Sequence, residues 1–310
     1  MILIRDAGEY LQWVPRLEDL FARAFSRTLP AGYLAWRFGT NPYEDVFVAI
    51  EVEGDRAVAS ACTSPCLVSW DGTAVRAGLA TTSMTDRAYE GRGLFTKLTA
   101  ACYDAMRESG YAMTYGFPNP NSHYPFTKKL AWTDIYEIPT MRLELAGTAA
   151  SAVTSRYDDA FDLRYRTAPP IGALIHVVKD ATWLRWRYAA HPANEYRNLV
   201  LAAGDDVSSF CVLKAYQDSV DIVDFQAASP EEGAELLRQA IAHAKGEGRT
   251  GINCWAPRHH FMHVLCQRAG FLKREPIAYF GARPFIEPAD AAAFSSYSNW
   301  FVQMGDSDVF

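Results

Sequence analysis

The stretch that decides the fold is Gly78–Leu98, GLATTSMTDRAYEGRGLFTKL, which predicts a strand, a tight loop and the start of a helix. β-Branched and apolar residues favour a strand from Arg76 to Thr85. Apolar side chains recur at helical spacing from Leu94 to Ser109, and Gly110 then ends the helix. A strand that passes through a tight loop into a helix is an α/β unit.

Two glycines stand in the loop between this strand and this helix. Gly91 and Gly93 carry no side chain, so the backbone N–H groups beside them can come close to an anion such as a diphosphate. The helix that begins at Leu94 adds the partial positive charge of its N-terminus. The sequence therefore predicts an anion-binding loop.

The elements around this unit extend the same plan. A strand (Tyr111–Phe117), a turn-rich segment (Pro118–Ser122), a short helix and a further strand (Ile138–Leu145) follow it. A helix around Val14–Ser26 and a β-meander from Val46 through Val75 precede it. This order predicts a mixed α/β fold, in which helices pack on a mixed sheet.

An internal repeat indicates that the chain has two related halves. The segment at 33–42, YLAWRFGTNP, aligns without gaps on the segment at 183–192, WLRWRYAAHP. Leu, Trp, Arg and Pro are identical in the two copies, and similar strand and helix patterns follow each copy. We therefore expect domains at 1–147 and 157–284, a linker at 148–156 with small polar composition (Gly147–Ser155, GTAASAVTS), and a docked aromatic tail at 285–310.

Composition excludes several classes of protein. The chain has 310 residues, a net charge of −6 and 49% hydrophobic residues, which is typical of a globular protein with a real core. No cluster of Lys and Arg suits a nucleic-acid backbone, so we expect no nucleic-acid partner. No apolar run approaches the ~20 residues of a membrane span or the core of a signal peptide, so we expect no membrane partner and a cytoplasmic protein.

The six cysteines are scattered, and we expect reduced, mostly buried thiols. Cys254, His259, His263 and Cys266 form one local group of possible zinc ligands. Their spacing fits no common finger, and the segment lacks the glutamate of an HExxH motif. We therefore expect no metal.

The stretch Gly78–Leu98, together with Asn121–Trp132, resembles the GCN5-related N-acetyltransferases (GNAT), and the repeat extends this resemblance to both halves. The resemblance implies two tandem GNAT-like domains and acetyl-CoA, or another short acyl-CoA, as co-substrate. It places the pantetheine arm against the strand and the diphosphate at the loop and helix start. The implied cofactor-binding residues are Ser83, Met84, Thr85, Gly91, Arg92, Gly93, Leu94, Phe95, Asn119 and Thr127.

The sequence departs from the family pattern at two positions of the loop. Glu90 replaces the usual Arg or Gln, and Phe95 replaces a small residue. In the second half the corresponding segment at 228–233, ASPEEG, has adjacent acids where phosphates would lie. We therefore expect the second domain to be degenerate in its CoA loop and only the first half to bind the cofactor.

The catalytic residues are less clear from the sequence. Thr127 occupies the position of the tyrosine that commonly serves the family as an acid. Tyr124 lies one helical turn earlier on the same face, and beside it is His123, whose imidazole is a common type of general base. We predict Tyr124 as the acid and His123 as the base, against the alternatives that Tyr124 packs in the core and His123 is solvated.

The tail offers candidate substrate ligands, because Asp306 and Asp308 could present carboxylates to an ammonium or to sugar hydroxyls. The alternative is a surface turn with two solvated acids. The predicted function is transfer of a short acyl group to the primary amine of a small molecule, with an amino sugar as a candidate. Two alternatives stay open: a non-catalytic acyl-CoA-binding module, favoured by Glu90 and the missing tyrosine, and a peptidyltransferase of related fold, disfavoured by the lack of a basic surface.

Overall fold

The computed structural model describes residues 1–145, 155–162, 170, 172–203, 206–276, 278–287 and 291–310. Residues 148–154 of the predicted linker lie outside these described ranges. The helices are α1 (Ala7–Phe25), α2 (Leu94–Glu108), α3 (Pro120–Lys129), α4 (Ala181–Leu184), α5 (Pro230–Gly246), α6 (Phe261–Arg268) and α7 (Ala291–Ser295). The strands are β1 (Ile2–Ile4), β2 (Phe47–Glu53), β3 (Arg56–Trp70), β4 (Thr73–Thr85), β5 (Met113–Gly116), β6 (Thr133–Glu137), β7 (Thr140–Glu144), β8 (Ile175–Val177), β9 (Tyr196–Ala203), β10 (Asp206–Tyr216), β11 (Ser219–Gln226), β12 (Gly251–Trp255), β13 (Leu272–Arg274), β14 (Tyr279–Pro284) and β15 (Trp300–Phe301).

The mixed α/β architecture predicted from the sequence is confirmed. In the described part of the chain, strands in the order β1-β2-β3-β4-β5-β14-β6 form one sheet, which β8 and β15 extend from β3. A second sheet has the order β13-β7-β12-β11-β10-β9. Each sheet contains a run of three antiparallel strands, β2-β3-β4 in the first and β9-β10-β11 in the second. The last strand of each run then pairs with a parallel strand, β4 with β5 and β11 with β12. The two halves thus repeat the order of their elements.

Each half also gives one strand to the sheet of the other half. Strand β7 lies between β12 and β13 in the second sheet, where Ile252 pairs with Leu143. Strand β14 lies between β5 and β6 in the first sheet, where Gly281 pairs with Gly116. Because both sheets depend on an exchanged strand, neither half has a complete sheet alone.

The repeated Trp-Arg pairs meet at the junction of the halves. Each pair lies in a short π-helical turn, Ala35–Gly39 or Arg185–Ala189. The indoles of Trp36 and Trp186 stack with ring centroids 4.9 Å apart and an interplanar angle of 19°. Each indole N–H donates to the other residue's carbonyl, Trp36 to Trp186 at 2.9 Å and Trp186 to Trp36 at 3.2 Å. The contact is reciprocal, as expected for equivalent positions in a repeat.

The second arginine of the repeat holds the C-terminal segment. The buried guanidinium of Arg187 donates to the carbonyls of Gly305 and Ser307, each at 3.3 Å, and to the carbonyl of Phe310. Trp300 in β15 pairs with β8. The segment therefore docks on the body of the protein.

The Trp36–Trp186 contact predicts energetic coupling between the two positions. Trp36→Phe or Trp186→Phe keeps an aromatic ring but removes one buried hydrogen bond between the two turns, which costs about 0.5–1.5 kcal/mol of unfolding free energy. In Trp186→Phe the Trp36 carbonyl still accepts from the Thr40 hydroxyl at 3.0 Å. Because the rings stack on each other, the double variant should deviate from the sum of the single variants by about 0.5–3 kcal/mol in a urea-unfolding cycle. Trp13→Phe, at a half-buried position on α1, is the control. Additive effects would contradict the coupling.

Candidate functional site

A cleft of about 880 Å³ opens where β4 and β5 of the first half separate, and residues of the second half and the tail complete its lining. The two strands pair only as far as Leu79 with Tyr115. Thr82 adopts a left-handed backbone conformation with φ of 49°, and the register of β3 against β4 shifts beside it. A bulge of this kind bends the strand away from its neighbour. The cleft follows from this bend.

The N-terminus of α2 faces this cleft without a capping side chain. The N-cap is Gly93, with φ of 72°, and Gly91 before it has φ of 75°. A Cβ added at either glycine would meet nothing within 4 Å, so the space beside the backbone is open. Five other α-helices, α1, α3, α4, α5 and α6, are capped by their own side chains, from Asp6, Asn119, Asp180, Ser229 and His260. The first N–H groups of α2 are thus oriented for an external anion.

The corresponding helix of the second half is closed to such a ligand. Residues 86–93 connect β4 to α2, whereas only residues 227–229 connect β11 to α5. The Ser229 hydroxyl accepts from the Glu232 N–H at 3.2 Å and so caps α5. Gly233 lies inside this helix, where an added Cβ would be 2.8 Å from the Phe261 ring. The second half therefore has neither the loop nor the free N–H groups.

One edge of β4 is available beside the cleft. Among the described residues, positions 80–85 pair with β3 on one side and with no strand on the other. Ser83 and Thr85 line the cleft, while the Met84 side chain points the other way and is 3% exposed in the core. An extended ligand can reach the backbone of this edge.

The other predicted cofactor residues divide into two groups. The cleft is lined by Gly91, Gly93, Leu94, Phe95 and Asn119. Arg92 is not among the lining residues: its guanidinium lies 4.5 Å from the centre of the Tyr89 ring and donates to the Ala88 carbonyl. The Thr127 hydroxyl donates to the His123 carbonyl at 3.0 Å and also lies outside the lining.

The structure does not bring the predicted acid and base to the cleft. Tyr124 is 62% exposed, and the residues of α3 that line the cleft are on another face, such as Ser122 and Phe126. The His123 ring stacks on Tyr279 with centroids 3.9 Å apart, and its Nε2 lies 2.8 Å from an oxygen of Asp134. The helical phase of α3 thus places these side chains away from the cleft.

The two acids of the tail have different surroundings. Asp308 lines the cleft, and the Thr81 hydroxyl donates to its carboxylate. Asp306 is 2% exposed and forms an ion pair with Lys179 at 2.7 Å. Burial raises the pKa of Asp306 to about 6, although Lys179 opposes this effect. Of the two acids, only Asp308 lines the cleft.

Tyr33 and His191 are among the cleft residues that were not predicted. Nδ1 of His191 accepts from the N–H groups of Ala193 at 3.1 Å and Asn194 at 3.0 Å, so the neutral ring carries its proton on Nε2. Burial, then Arg187 and other cations, lowers the pKa of His191 to about 3, so the ring is neutral near pH 7. Both residues lie in the sequence repeat, at positions where the two copies carry different residues. This difference is the feature of the sequence that could have identified them.

The possible zinc ligands make other contacts. Cys254 and Cys266 are buried with their sulfurs 3.6 Å apart, and His263 Nδ1 lies 2.9 Å from the Ala256 carbonyl oxygen. Across the described ranges, no three potential ligands gather at one point. All six cysteines are buried and unbridged, as predicted.

None of the helices within the described ranges is both long and apolar enough to cross a membrane.

Comparisons with known proteins agree with this geometry. Residues 12–135 match the family model of the acetyltransferase (GNAT) domain. No curated protein matches the sequence. A conserved protein of unknown function from Enterococcus faecalis V583, described as a probable N-acyltransferase, has a TM-score of 0.65 at 11% identity, over 92% of this chain and 72% of its own.

Two further solved structures share the fold. A GCN5-related N-acetyltransferase from Kribbella flavida has a TM-score of 0.62 at 15% identity, over 92% of this chain and 72% of its own. Eis1 from Mycobacterium abscessus has a TM-score of 0.60 at 14% identity, over 95% and 75%. At this identity the structures show the fold. Residues 12–135 thus match a GNAT acetyltransferase domain, and the whole chain shares the fold of these structures.

Proposed function

We propose that this protein transfers an acetyl or other short acyl group from coenzyme A to the primary amine of a small molecule. The observation that carries the proposal is the uncapped N-terminus of α2, with Gly91 and Gly93 open to the cleft. Oriented N–H groups and a helix dipole stabilise a diphosphate, and acyl-CoA carries one. The resemblance and the family match point to the same co-substrate.

The proposed binding mode uses the cleft from end to end. The diphosphate binds at Gly91–Phe95, and the pantetheine arm pairs with the free edge of β4 at 83–85. Arg27 and Lys129 also line the cleft and add positive charge for phosphates, while Glu90 is a local acid that opposes them. The two positive charges outnumber the one negative charge, which suits one bound cofactor in the first half.

The acceptor would bind on the side of the cleft formed by the second half and the tail. Asp308 offers a carboxylate to the ammonium form of the amine, and Thr81 fixes that carboxylate. Nε2–H of His191 and the nearby Asn194 can hydrogen-bond to hydroxyls. These polar groups suit an amino sugar as acceptor.

The reaction requires the free amine. After the ammonium gives a proton to water, the nitrogen attacks the thioester carbonyl and forms the C–N bond. The C–S bond then breaks, the nitrogen gives up its second proton to water to leave a neutral amide, and the leaving thiolate takes a proton from water. Because Tyr124 and His123 lie outside the cleft, we propose that this protein acts mainly by proximity and orientation.

We also infer that the chain is a tandem of two GNAT-like domains, 1–147 and 157–284, with the second specialised to shape the acceptor site. The shared order of elements and the reciprocal Trp36–Trp186 contact support a duplication. The exchanged strands β7 and β14 join the two domains into one unit.

A non-catalytic acyl-CoA-binding module is the second candidate. Glu90 in the loop and the lack of a tyrosine from α3 in the cleft favour it. Release of free thiol from acetyl-CoA in the presence of a panel of amines distinguishes an enzyme from a binding module.

The first test of the binding mode is Gly93→Val. The new side chain would fill the space of the diphosphate, and we expect the rise in Tm caused by acetyl-CoA to disappear. Gly248→Val is the matched control, because Gly248 also has a left-handed backbone (φ of 67°) and open surroundings, but lies in the turn after α5 in the second half and does not line the cleft. Each change strains the backbone by about 1–2 kcal/mol. Equal loss of the Tm rise in both variants would contradict the proposed site.

The second test concerns Asp308. Asp308→Asn removes a charged hydrogen bond to the ammonium, so the KM of the amine should rise about 10- to 100-fold while kcat changes little. Asp134→Asn removes the same charge outside the cleft and should leave the KM unchanged. If both variants behaved alike, the assignment of Asp308 would be wrong.

The third test concerns Tyr124. Loss of a positioned general acid would lower kcat by about 10²–10⁴-fold. Because this hydroxyl lies outside the cleft, we expect Tyr124→Phe to keep the kcat of the unmodified protein in a thiol-release assay. A fall into the range for a lost acid would restore Tyr124 as the catalytic acid.

A further inference from the structure

The inner end of the cleft is a fork between β4 and β5. The two strands pair as far as Leu79 with Tyr115. At the next position they are still in contact, because a Cβ added at Gly116 would lie 3.2 Å from the Ala80 carbonyl oxygen and 3.1 Å from the Trp132 ring. The cleft is therefore closed at Ala80 and Gly116 and opens one residue further along each strand.

Two side chains flank the first open position. The parallel register of the two strands, continued by two residues, sets Thr81 opposite Phe117, and both residues line the cleft. The Thr81 side chain is small, and its hydroxyl donates to Asp308. Phe117 is thus the bulky side chain at the fork.

Aromatic neighbours hold the Phe117 ring in place. Its centroid lies 5.3 Å from that of the Trp255 ring and 5.5 Å from that of the Phe280 ring. Both neighbours are buried, at 1% and 0% exposure. A close-packed core resists displacement of its side chains, so the Phe117 ring cannot leave the fork without disturbing these contacts. The ring therefore forms a fixed wall of the cleft.

The proposed binding mode directs the acyl group towards this wall. In that mode the diphosphate binds at the start of α2, and the pantetheine arm follows the free edge of β4 at 83–85. Because β4 runs towards α2, the far end of the arm, which carries the acyl group, lies next to Thr81. This placement of the acyl group rests on the proposed function.

We propose that Phe117 sets the length of the acyl group that the cleft accepts, so that an acetyl group is admitted and a chain of six carbons is excluded. One residue of strand, about 3.3 Å, separates Thr81 from the closed position at Ala80. This distance has room for the methyl group of an acetyl, but not for the five carbons that follow the carbonyl of a hexanoyl group. A longer chain needs the space that the Phe117 ring occupies.

The test is a series of acyl chains of increasing length. Isothermal titration calorimetry of the full chain, without an amine, measures the Kd of coenzyme A, acetyl-CoA, butyryl-CoA and hexanoyl-CoA. We expect hexanoyl-CoA to bind about tenfold or more weakly than acetyl-CoA, because it must displace the Phe117 ring from its packed neighbours. The Kd of butyryl-CoA should lie between these two values.

Variants assign the limit to Phe117. In Phe117→Ala each methylene group that becomes buried should tighten binding about fourfold, so hexanoyl-CoA should bind more tightly than acetyl-CoA. Phe25→Ala makes the same change at another residue of the cleft, which is 44% exposed, and should keep the order of affinities of the unmodified protein. Phe117→Leu keeps more of the packing and should narrow the difference between hexanoyl-CoA and acetyl-CoA. It decides the question if Phe117→Ala does not fold.

Several results would overturn the proposal. If hexanoyl-CoA bound to the unmodified protein as tightly as acetyl-CoA, no wall would limit the chain. An unchanged order of affinities in the Phe117 variants, or the same change of order in Phe25→Ala, would assign the limit to other residues. These results would leave the proposed function intact. Failure of both coenzyme A and acetyl-CoA to bind would instead contradict the proposed function, and the role of Phe117 with it.

Discussion

The reciprocal contact between Trp36 and Trp186 is the constraint on which the arrangement of the two halves depends. Each indole covers the other and donates to the other's backbone, so the two π-helical turns have one relative position. The exchange of β7 and β14 then fixes the sheets to each other. Arg187, beside Trp186, donates hydrogen bonds to backbone carbonyls of the tail and so fixes its position. The central contact is thereby connected to Asp308, whose position in the cleft depends on the path of the tail.

The same plan of elements has different chemistry in the two halves because one connection differs in length. The loop before α2 is long enough to leave the helix N-terminus uncapped, with glycines whose backbone is open to the cleft. The short connection before α5 brings in Ser229 as a cap and buries Gly233 against α6. N–H groups that already donate to an acceptor of the protein cannot donate to a phosphate. The second half instead supplies His191 and, through Arg187, the docked tail.

Much of the fold followed from the sequence. The strand, loop and helix of 76–109 were predictable because β-branched residues, glycines and helical spacing report local structure directly. The docking of the tail followed from its aromatic content. The strand exchange could not be predicted, because β7 and β14 carry no local signal that distinguishes one sheet from the other. The direction of the Tyr124 side chain could not be predicted, because the cap at Asn119 and the burial of Phe126 set the rotation of α3, which turns Tyr124 outward.

The central claim is that one helix N-terminus of this repeated fold, that of α2, holds the co-substrate. Hydrogen–deuterium exchange of the full chain with and without acetyl-CoA tests it most directly, because exchange reports on individual backbone N–H groups. The account predicts slower exchange in peptides that cover 83–96 and no change in peptides that cover 226–236. Protection at the start of α5, or unchanged exchange at the start of α2, would contradict it.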